Sequence, residues 1–193
     1  MLKIGVLALQ GDFIEHQKIL DELSVETVQV RKAAQLEKLD GLIIPGGEST
    51  TIGKLAVDFE LMSPLRAFAK KKAVWGTCAG SIFLSKDARR DQPLLSVMNI
   101  QVARNAFGRQ VDSFETDLIV PALEAASDDG SPFHAIFIRA PLIESVSGET
   151  EVLASLPDGR IVAAREAKLL ATSFHPELTG DDRFYRYFLE MAK

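Results

Sequence analysis

A chain of 193 residues with 47% hydrophobic and 25% charged side chains has the composition of a folded globular protein, which excludes a disordered or fibrous chain. Its net charge is −5, and its basic residues are scattered among acidic ones, so no nucleic-acid partner is predicted. No apolar stretch approaches the roughly 20 residues of a membrane span, so no membrane partner is predicted either. The single cysteine and the lack of a leader-like N-terminus predict a cytoplasmic protein, and the length predicts one domain, residues 1–193.

Short apolar runs ended by turns recur along the chain and predict strands, several of them buried on both faces. These runs are Ile4 to Leu9, Val25 to Val30, Leu42 to Ile44, Ala73 to Trp75, Val97 to Val102, Ala135 to Ile138 and Leu169 to Phe174. Helix-like segments lie between them at Ile14 to Leu23, Pro64 to Lys72, Ala79 to Lys86 and Asp182 to Ala192. The alternation predicts an α/β fold, a doubly wound and mostly parallel sheet with helices on both faces.

The pattern changes between about Asn105 and Gly159, where helix signals fade. The run from Val111 to Val120 alternates between apolar and polar residues, which is typical of a strand with one solvated face. We therefore expect an antiparallel elaboration on one edge of the sheet. The stretch from Ala125 to Pro132 is rich in turn residues and predicts an exposed loop.

A glycine-rich loop, Pro45-Gly46-Gly47-Glu48-Ser49-Thr50, follows the strand that ends at Ile44. Adjacent glycines allow close approach of the backbone to a ligand, so a backbone N–H here could stabilise an oxyanion. The alternative is an ordinary turn in which Ser49 or Thr50 caps the next helix. A phosphate-binding P-loop is excluded, because the Lys-Ser/Thr pair of that motif is missing.

The segment Gly76-Thr77-Cys78-Ala79-Gly80 lies between a buried strand and a helix-like run. Strand, G-x-C-x-G and helix form the pattern of a nucleophile elbow, in which a tight turn projects the central side chain from the carboxyl end of the strand. The N-terminus of the following helix favours a thiolate at Cys78, and the N–H of Ala79 would face a tetrahedral oxyanion. The alternative is that Cys78 is a small buried hydrophobic residue.

A cysteine nucleophile requires a base, and position distinguishes the three histidines. His16 lies on the first predicted helix between charged and polar neighbours, where a surface or interface role is expected, and His134 opens a strand beside a loop. His175 follows the last predicted strand, at the sheet edge where ligands bind in such folds. Pro176 favours an extended backbone at His175, which would put Glu177 on the same side. The alternative is a loop with a solvated Glu177.

Several motifs occur together in one order and resemble those of the class I, triad-type glutamine amidotransferases. They are Gly-Gly-Glu-Ser-Thr from Gly46, Gly-Thr-Cys-Ala-Gly from Gly76, and Ser-Phe-His-Pro-Glu from Ser173. More narrowly, four segments resemble the glutaminase subunits of pyridoxal phosphate synthases: Leu9 to Gly11, Pro45 to Thr51, Arg104 to Glu115 and Phe137 to Pro141. The resemblance covers nearly the whole chain.

This resemblance implies that Cys78 attacks the glutamine carboxamide and that His175 exchanges protons while Glu177 orients it. Gly47 and Ala79 are the implied oxyanion donors. The implied glutamine-binding residues are Gly47, Glu48, Ser49, Arg104, Ile138 and Arg139. Guanidinium groups suit the α-carboxylate of free glutamine, although Arg104 and Arg139 would also suit surface salt bridges.

The resemblance further implies that ammonia passes to a separate synthase subunit, and that the glutaminase binds no cofactor and no metal. Other interpretations are a glutaminase of another amidotransferase, such as the one for imidazole glycerol phosphate, a cysteine peptidase or deglycase-like enzyme, and a noncatalytic regulatory subunit. The segment Arg104 to Glu115 argues against the first, the His-x-Glu pair against the second, and the intact triad against the third.

Overall fold

The computed structural model describes residues 2–104, 113–126 and 130–193. Residues 105–112 of the family-like segment that begins at Arg104, and residues 127–129 of the predicted loop, lie outside these ranges. No helix within the described ranges combines the length and the apolar character that crossing a membrane requires.

Twelve strands are numbered in chain order. They are β1 Lys3–Leu7, β2 Glu26–Val30, β3 Gly41–Ile44, β4 Ala73–Thr77, β5 Ser85–Asp87, β6 Met98–Ala103, β7 Ser113–Leu118, β8 Phe133–Ile138, β9 Leu142–Val146, β10 Glu151–Ser155, β11 Ile161–Glu166 and β12 Leu169–Thr172. The main sheet has the order β2-β1-β3-β4-β12-β11-β9-β6-β5, and β10 pairs with β11. The five strands from β2 to β12 are mutually parallel, as the sequence predicts.

The described residues also form five α-helices and three 3-10 turns. The α-helices are α1 Phe13–Glu22, α2 Ser49–Asp58, α3 Met62–Ala69, α4 Ala79–Leu84 and α5 Arg183–Ala192, and the 3-10 turns are Ala33–Leu36, Pro121–Ala126 and Pro176–Leu178. The prediction that α4 continues to Lys86 is wrong, because the chain becomes extended at Ser85 and forms β5.

Helices cover both faces of the parallel sheet, and successive residues of its central strands alternate between the two cores. Leu42, Ile44 and Val74 pack with α2, α3 and α4, whereas Ile43 and Trp75 pack with α1 and α5. Every residue of β3 and β4 is therefore buried, which explains why these strands appear as continuous apolar runs in the sequence.

The antiparallel elaboration is present and is larger than the sequence indicates. β11 runs antiparallel to β12, β9 and β10, and β9 runs antiparallel to β6. The apolar runs identified none of the three antiparallel strands β9, β10 and β11, nor the short edge strand β5. The alternating run forms β7, which pairs with β8 in a separate two-stranded sheet. This small sheet packs over α5 and the face that contains Trp75.

Candidate active site

Cys78 lies at the turn between β4 and α4 in a strained backbone conformation, with φ +46° and ψ −109°. Strain of this kind costs about 1–3 kcal/mol in a residue with a side chain. Two hydrogen bonds offset it, since the N–H of Cys78 donates to the carbonyl of Thr172 at 2.8 Å and the Ser81 hydroxyl donates to the Cys78 carbonyl at 2.7 Å. The elbow predicted from G-x-C-x-G is therefore present, although Cys78 is only 7% exposed, at the floor of a cavity.

The two glycines of the elbow are required by close packing. A methyl group on Gly76 would meet the carbonyl of Gly80 at 2.5 Å, and one on Gly80 would collide with the backbone carbonyl of Ile44. The first turn of α4 thus lies directly against β3 and β4. This contact holds Cys78 beside the loop that follows β3.

His175 lies immediately after β12, where its backbone N–H donates to the carbonyl of Ile136 at 2.8 Å. Burial lowers the pKa of the imidazole, but its interactions with Cys78 and Glu177 are stronger and raise the pKa to about 10. The ring is therefore protonated at neutral pH. A protonated imidazole next to a cysteine sulfur is an arrangement that activates a cysteine nucleophile.

Glu177 binds the opposite side of the ring, with 2.6 Å between its Oε1 and Nδ1 of His175. Burial raises the pKa of this carboxyl group. His16 and the hydrogen bond from His175 lower the pKa by more than burial raises it, so the net shift is downward. The contact was predicted, but the reason given for it was wrong. Glu177 lies in the 3-10 turn Pro176–Leu178, which folds back under His175, and not in an extended segment.

The loop after β3 is tied to the loop after β1. Gly47 has φ +150°, and a methyl group there would meet Oε1 of Gln10 at 2.6 Å. That Gln10 oxygen accepts a hydrogen bond from the N–H of Glu48 at 2.7 Å, and the carbonyl of Gly46 accepts one from Asp12 at 3.1 Å. The position of the Gly46–Gly47 peptide is therefore determined by the segment that follows β1.

The cap of α2 differs from the one in the alternative interpretation of this loop. Glu48, and not Ser49 or Thr50, is the N-cap, since its carboxylate accepts hydrogen bonds from the backbone N–H and the hydroxyl of Thr51 at 2.7 and 2.9 Å. Burial raises the pKa of Glu48, but these bonds and the guanidinium of Arg104 lower it to about 2. Ser49 is buried, within 3.4 Å of Gln92.

An open cavity of about 330 Å³ lies above Cys78. It is lined by Asp12, Gly47, Glu48, Ser49, Cys78, Ala79, Ile82, Arg104, Ile138, Arg139, Pro141 and His175. Every site residue predicted from the sequence lines this cavity except Glu177, which lies behind His175. The walls bear charges of both signs.

Two arginines line the cavity. Nη2 of Arg104 lies 2.6 Å from Oε1 of Glu48, and its Nη1 donates to the hydroxyl of Thr50 at 2.9 Å. Arg139 follows β8 with φ +44°, next to the half-exposed Ile138. These residues come from distant parts of the chain and line the same pocket.

Two residues near the triad were not identified correctly from the sequence. Asp12 was not selected, yet its Oδ2 lies 3.7 Å from Nδ1 of His175 and its pKa is raised, first by burial and then by the charge of Glu177. His16 was expected at a surface or interface but is fully buried, in contact with Thr77 and Glu177.

The ligand atoms of Asp12, His175 and Glu177 lie within 4.8 Å of one another, a spacing that also suits a cation. Nδ1 of His175, however, already donates its proton to Glu177, and this is the nitrogen that faces both carboxylates. The imidazole–carboxylate pair alone accounts for the cluster.

The sequence matches the SNO glutamine amidotransferase family over residues 6–193. This match covers nearly the entire chain. The chain belongs to the SNO glutamine amidotransferase family.

Similar proteins agree with this membership. The chain is 58% identical to "Pyridoxal 5'-phosphate synthase subunit PdxT" of Herpetosiphon aurantiacus, over 97% of this chain and 99% of that protein. It is also 58% identical to the protein of the same name from Dehalococcoides mccartyi, over 100% of this chain and 98% of the relative. A crystal structure of a glutamine amidotransferase superposes with a TM-score of 0.90 at 50% identity, covering 98% of each chain.

Proposed function

We propose that this family member is the glutaminase subunit of a pyridoxal phosphate synthase, which hydrolyses L-glutamine to L-glutamate and ammonia. The observation that carries the proposal is the chain of contacts from Cys78 to His175 to Glu177 at the base of an open, charged cavity. The family match from residue 6 to 193 supports a single glutaminase domain. The proposed reaction requires no cofactor and no metal, and we assign it to the cytoplasm.

In the proposed mechanism, the Cys78 thiolate attacks the side-chain carbonyl carbon of glutamine, and the carbonyl oxygen becomes an oxyanion. The backbone N–H groups of Ala79 and Gly47 are the proposed donors to that oxyanion. The His175 imidazolium gives its proton to the departing nitrogen, which leaves as ammonia, and a glutamyl thioester remains on the sulfur. His175 then takes a proton from water, whose oxygen attacks the thioester and releases glutamate.

The charged rim suits the amino-acid end of glutamine. Arg104 and Arg139 present guanidinium groups to the α-carboxylate, and Glu48 supplies the negative charge that an α-ammonium group requires. Arg104 is already paired with Glu48 in the described structure, so the substrate would join an existing ion pair. Ser49 and Ile138 complete the proposed binding surface.

The proposed partner is the synthase subunit, since the relatives at 58% identity are named as subunits of pyridoxal 5'-phosphate synthase. The hydrogen bonds between Gln10 and Glu48 and between Asp12 and Gly46 give a physical route for control. A partner that docks on Gln10 and Gly11 would displace the loop after β3 and turn the Gly47 N–H toward the oxyanion. Losing one such donor typically costs about 10²–10³ in rate, so the isolated chain should be slow.

Ammonia release from glutamine, measured for wild type and Cys78→Ala with and without the synthase subunit of the same organism, tests the proposal. We expect slow turnover by the isolated wild type, a large stimulation by the partner, and no turnover by Cys78→Ala in either case. Substantial hydrolysis by Cys78→Ala would exclude the assigned nucleophile. A rate that does not change with saturating, demonstrably bound partner would refute the control by docking and leave the triad standing.

A further inference from the structure

A buried polar cluster lies directly behind the triad, on the side of Glu177 that faces away from the cavity. Its centre is His16, which has no exposed surface. Nδ1 of this ring lies 2.6 Å from the Tyr185 hydroxyl, and Nε2 lies 3.1 Å from Oγ1 of Thr77 and 3.5 Å from Oε2 of Glu177. A buried imidazole is costly to desolvate, so a ring held by three polar groups indicates a specific role.

The second oxygen of Glu177 needs a donor. Oε1 binds His175, whereas Oε2 is buried and accepts no hydrogen bond from any residue that the structure describes. An ionised carboxylate inside a protein requires donors on both oxygens. Nε2 of His16, which forms its hydrogen bond with Thr77, lies 3.5 Å from this oxygen, a distance that a small shift of Glu177 would turn into a hydrogen bond.

The neighbours of His16 determine which of its nitrogens bears the proton. A carboxylate only accepts hydrogen bonds, so the nitrogen that faces Glu177 must be the donor, and Nε2 bears the hydrogen. Nδ1 is then an acceptor, and the Tyr185 hydroxyl donates to it. Tyr185 therefore fixes the tautomer in which His16 points its N–H at Thr77 and Glu177.

We propose that His16, in the tautomer fixed by Tyr185, is a positioning residue that holds the free oxygen of Glu177 and so sets the orientation of His175. The proposal rests on the triad assigned above and adds two members that do not line the cavity. The resulting chain of contacts runs from Tyr185 through His16, Glu177 and His175 to Cys78. His16 stays neutral and transfers no proton in the reaction.

The charges around His16 are consistent with this neutral state. Burial lowers the pKa of the ring more strongly than Glu177 raises it, with smaller opposing effects of His175 and Glu15. Burial and the charge of Glu177 raise the pKa of Tyr185 well above its ordinary value, so its hydroxyl keeps the proton that it donates. No titration within the cluster is needed near neutral pH.

Four variants test the proposal, each assayed in the complex with the synthase subunit. His16→Leu removes the donor, His16→Gln keeps an N–H near the position of Nε2, and Tyr185→Phe removes only the hydroxyl that fixes the tautomer. Tyr187→Phe is the matched control, because Tyr187 lies on the same helix and its hydroxyl binds Arg165 instead. Circular dichroism and urea unfolding report whether each variant folds.

We expect His16→Leu and Tyr185→Phe to lower kcat by about tenfold or more, because the free oxygen of Glu177 loses the neighbouring nitrogen that positions it, with KM for glutamine within about twofold. We also expect the acidic limb of the kcat profile to move to higher pH, because Glu177 loses a donor to its charged form. His16→Gln should recover most of kcat, and Tyr187→Phe should match wild type. A purely structural role would change the unfolding midpoint without moving the pH profile.

A folded His16→Leu with the kcat and pH profile of wild type would overturn the proposal. If His16→Leu does not fold, Tyr185→Phe decides, and an unchanged profile in that variant would overturn it equally. The triad is tested separately by Cys78→Ala. If Cys78→Ala is inactive and the His16 variants keep wild-type activity, only the positioning role is rejected. If Cys78→Ala is active, the proposed function itself is rejected.

Discussion

The interaction between Cys78 and His175 predicts that removal of the sulfur lowers the pKa of the imidazole. Burial lowers that pKa, but Cys78 and Glu177 together raise it to about 10. One nearby opposite charge typically shifts a pKa by about 1–3 pH units. Cys78→Ala removes one of these two partners and keeps Cβ, so the backbone at the elbow bears the same strain. We therefore expect the pKa of His175 to fall by about 1–3 pH units in this variant.

Histidine-selective NMR titration of the wild type and of Cys78→Ala measures this change directly, and His175→Asn identifies the signal. His134 is an internal reference, because it is exposed and its pKa is raised by hydrogen bonds to Asp117 and Glu115, remote in sequence from the elbow. Its titration should be the same in both proteins. A His175 pKa that is unchanged in Cys78→Ala would refute the proposed interaction between the sulfur and the imidazole.

Four further substitutions have measurable outcomes. In ammonia-release assays, His175→Asn should lower kcat by several orders of magnitude. Glu177→Gln should lower kcat by about 10- to 100-fold, since only the charge beside the ring is lost. A larger loss of kcat in Glu177→Gln than in His175→Asn would contradict the assigned roles. Gly80→Ala should lower the free energy of unfolding in urea by about 1–3 kcal/mol, because its methyl group meets the carbonyl of Ile44, and an unchanged midpoint would contradict that packing. Glu48→Ala should remove the cap of α2 at a cost of about 0.5–2 kcal/mol and raise KM for glutamine, and an unchanged KM would exclude Glu48 from the binding site.

Local patterns were sufficient to predict the parallel half of the sheet and the elbow. G-x-C-x-G requires only residues close in sequence, because Gly76 and Gly80 allow the turn around Cys78 and the flanking strand and helix are evident from apolar spacing. The antiparallel strands β9 to β11 were harder to identify. β9 and β10 mix apolar and polar residues and are largely exposed, so they lack the continuous apolar run that marks a buried strand. β11 does contain such a run, Ile161 to Ala164, which the sequence analysis missed.

The environment of His16 could not be predicted from its neighbours in the sequence. It is on the same face of α1 as Leu20, four residues later, and that spacing was a signal of burial that its polar side chain obscured. Ile14, which begins the predicted helix, is by contrast half exposed. What makes burial of an imidazole tolerable is the Tyr185 hydroxyl, and no pattern within one helix reveals a partner on another.

The hydrogen bond between His16 and Tyr185 joins residues 169 positions apart, and the one between Trp75 and Thr172 joins residues 97 positions apart. Contacts across such long stretches of chain form late in folding, because the entropy of closing a large loop must be lost before they contribute any stability. A refolding chain can therefore build its helices and its first strand pairs while the hydrolytic centre is still unassembled. Recovery of glutamine hydrolysis should lag behind recovery of the far-ultraviolet circular dichroism signal. The length of that lag would report how slowly the contacts between the two ends of the chain form.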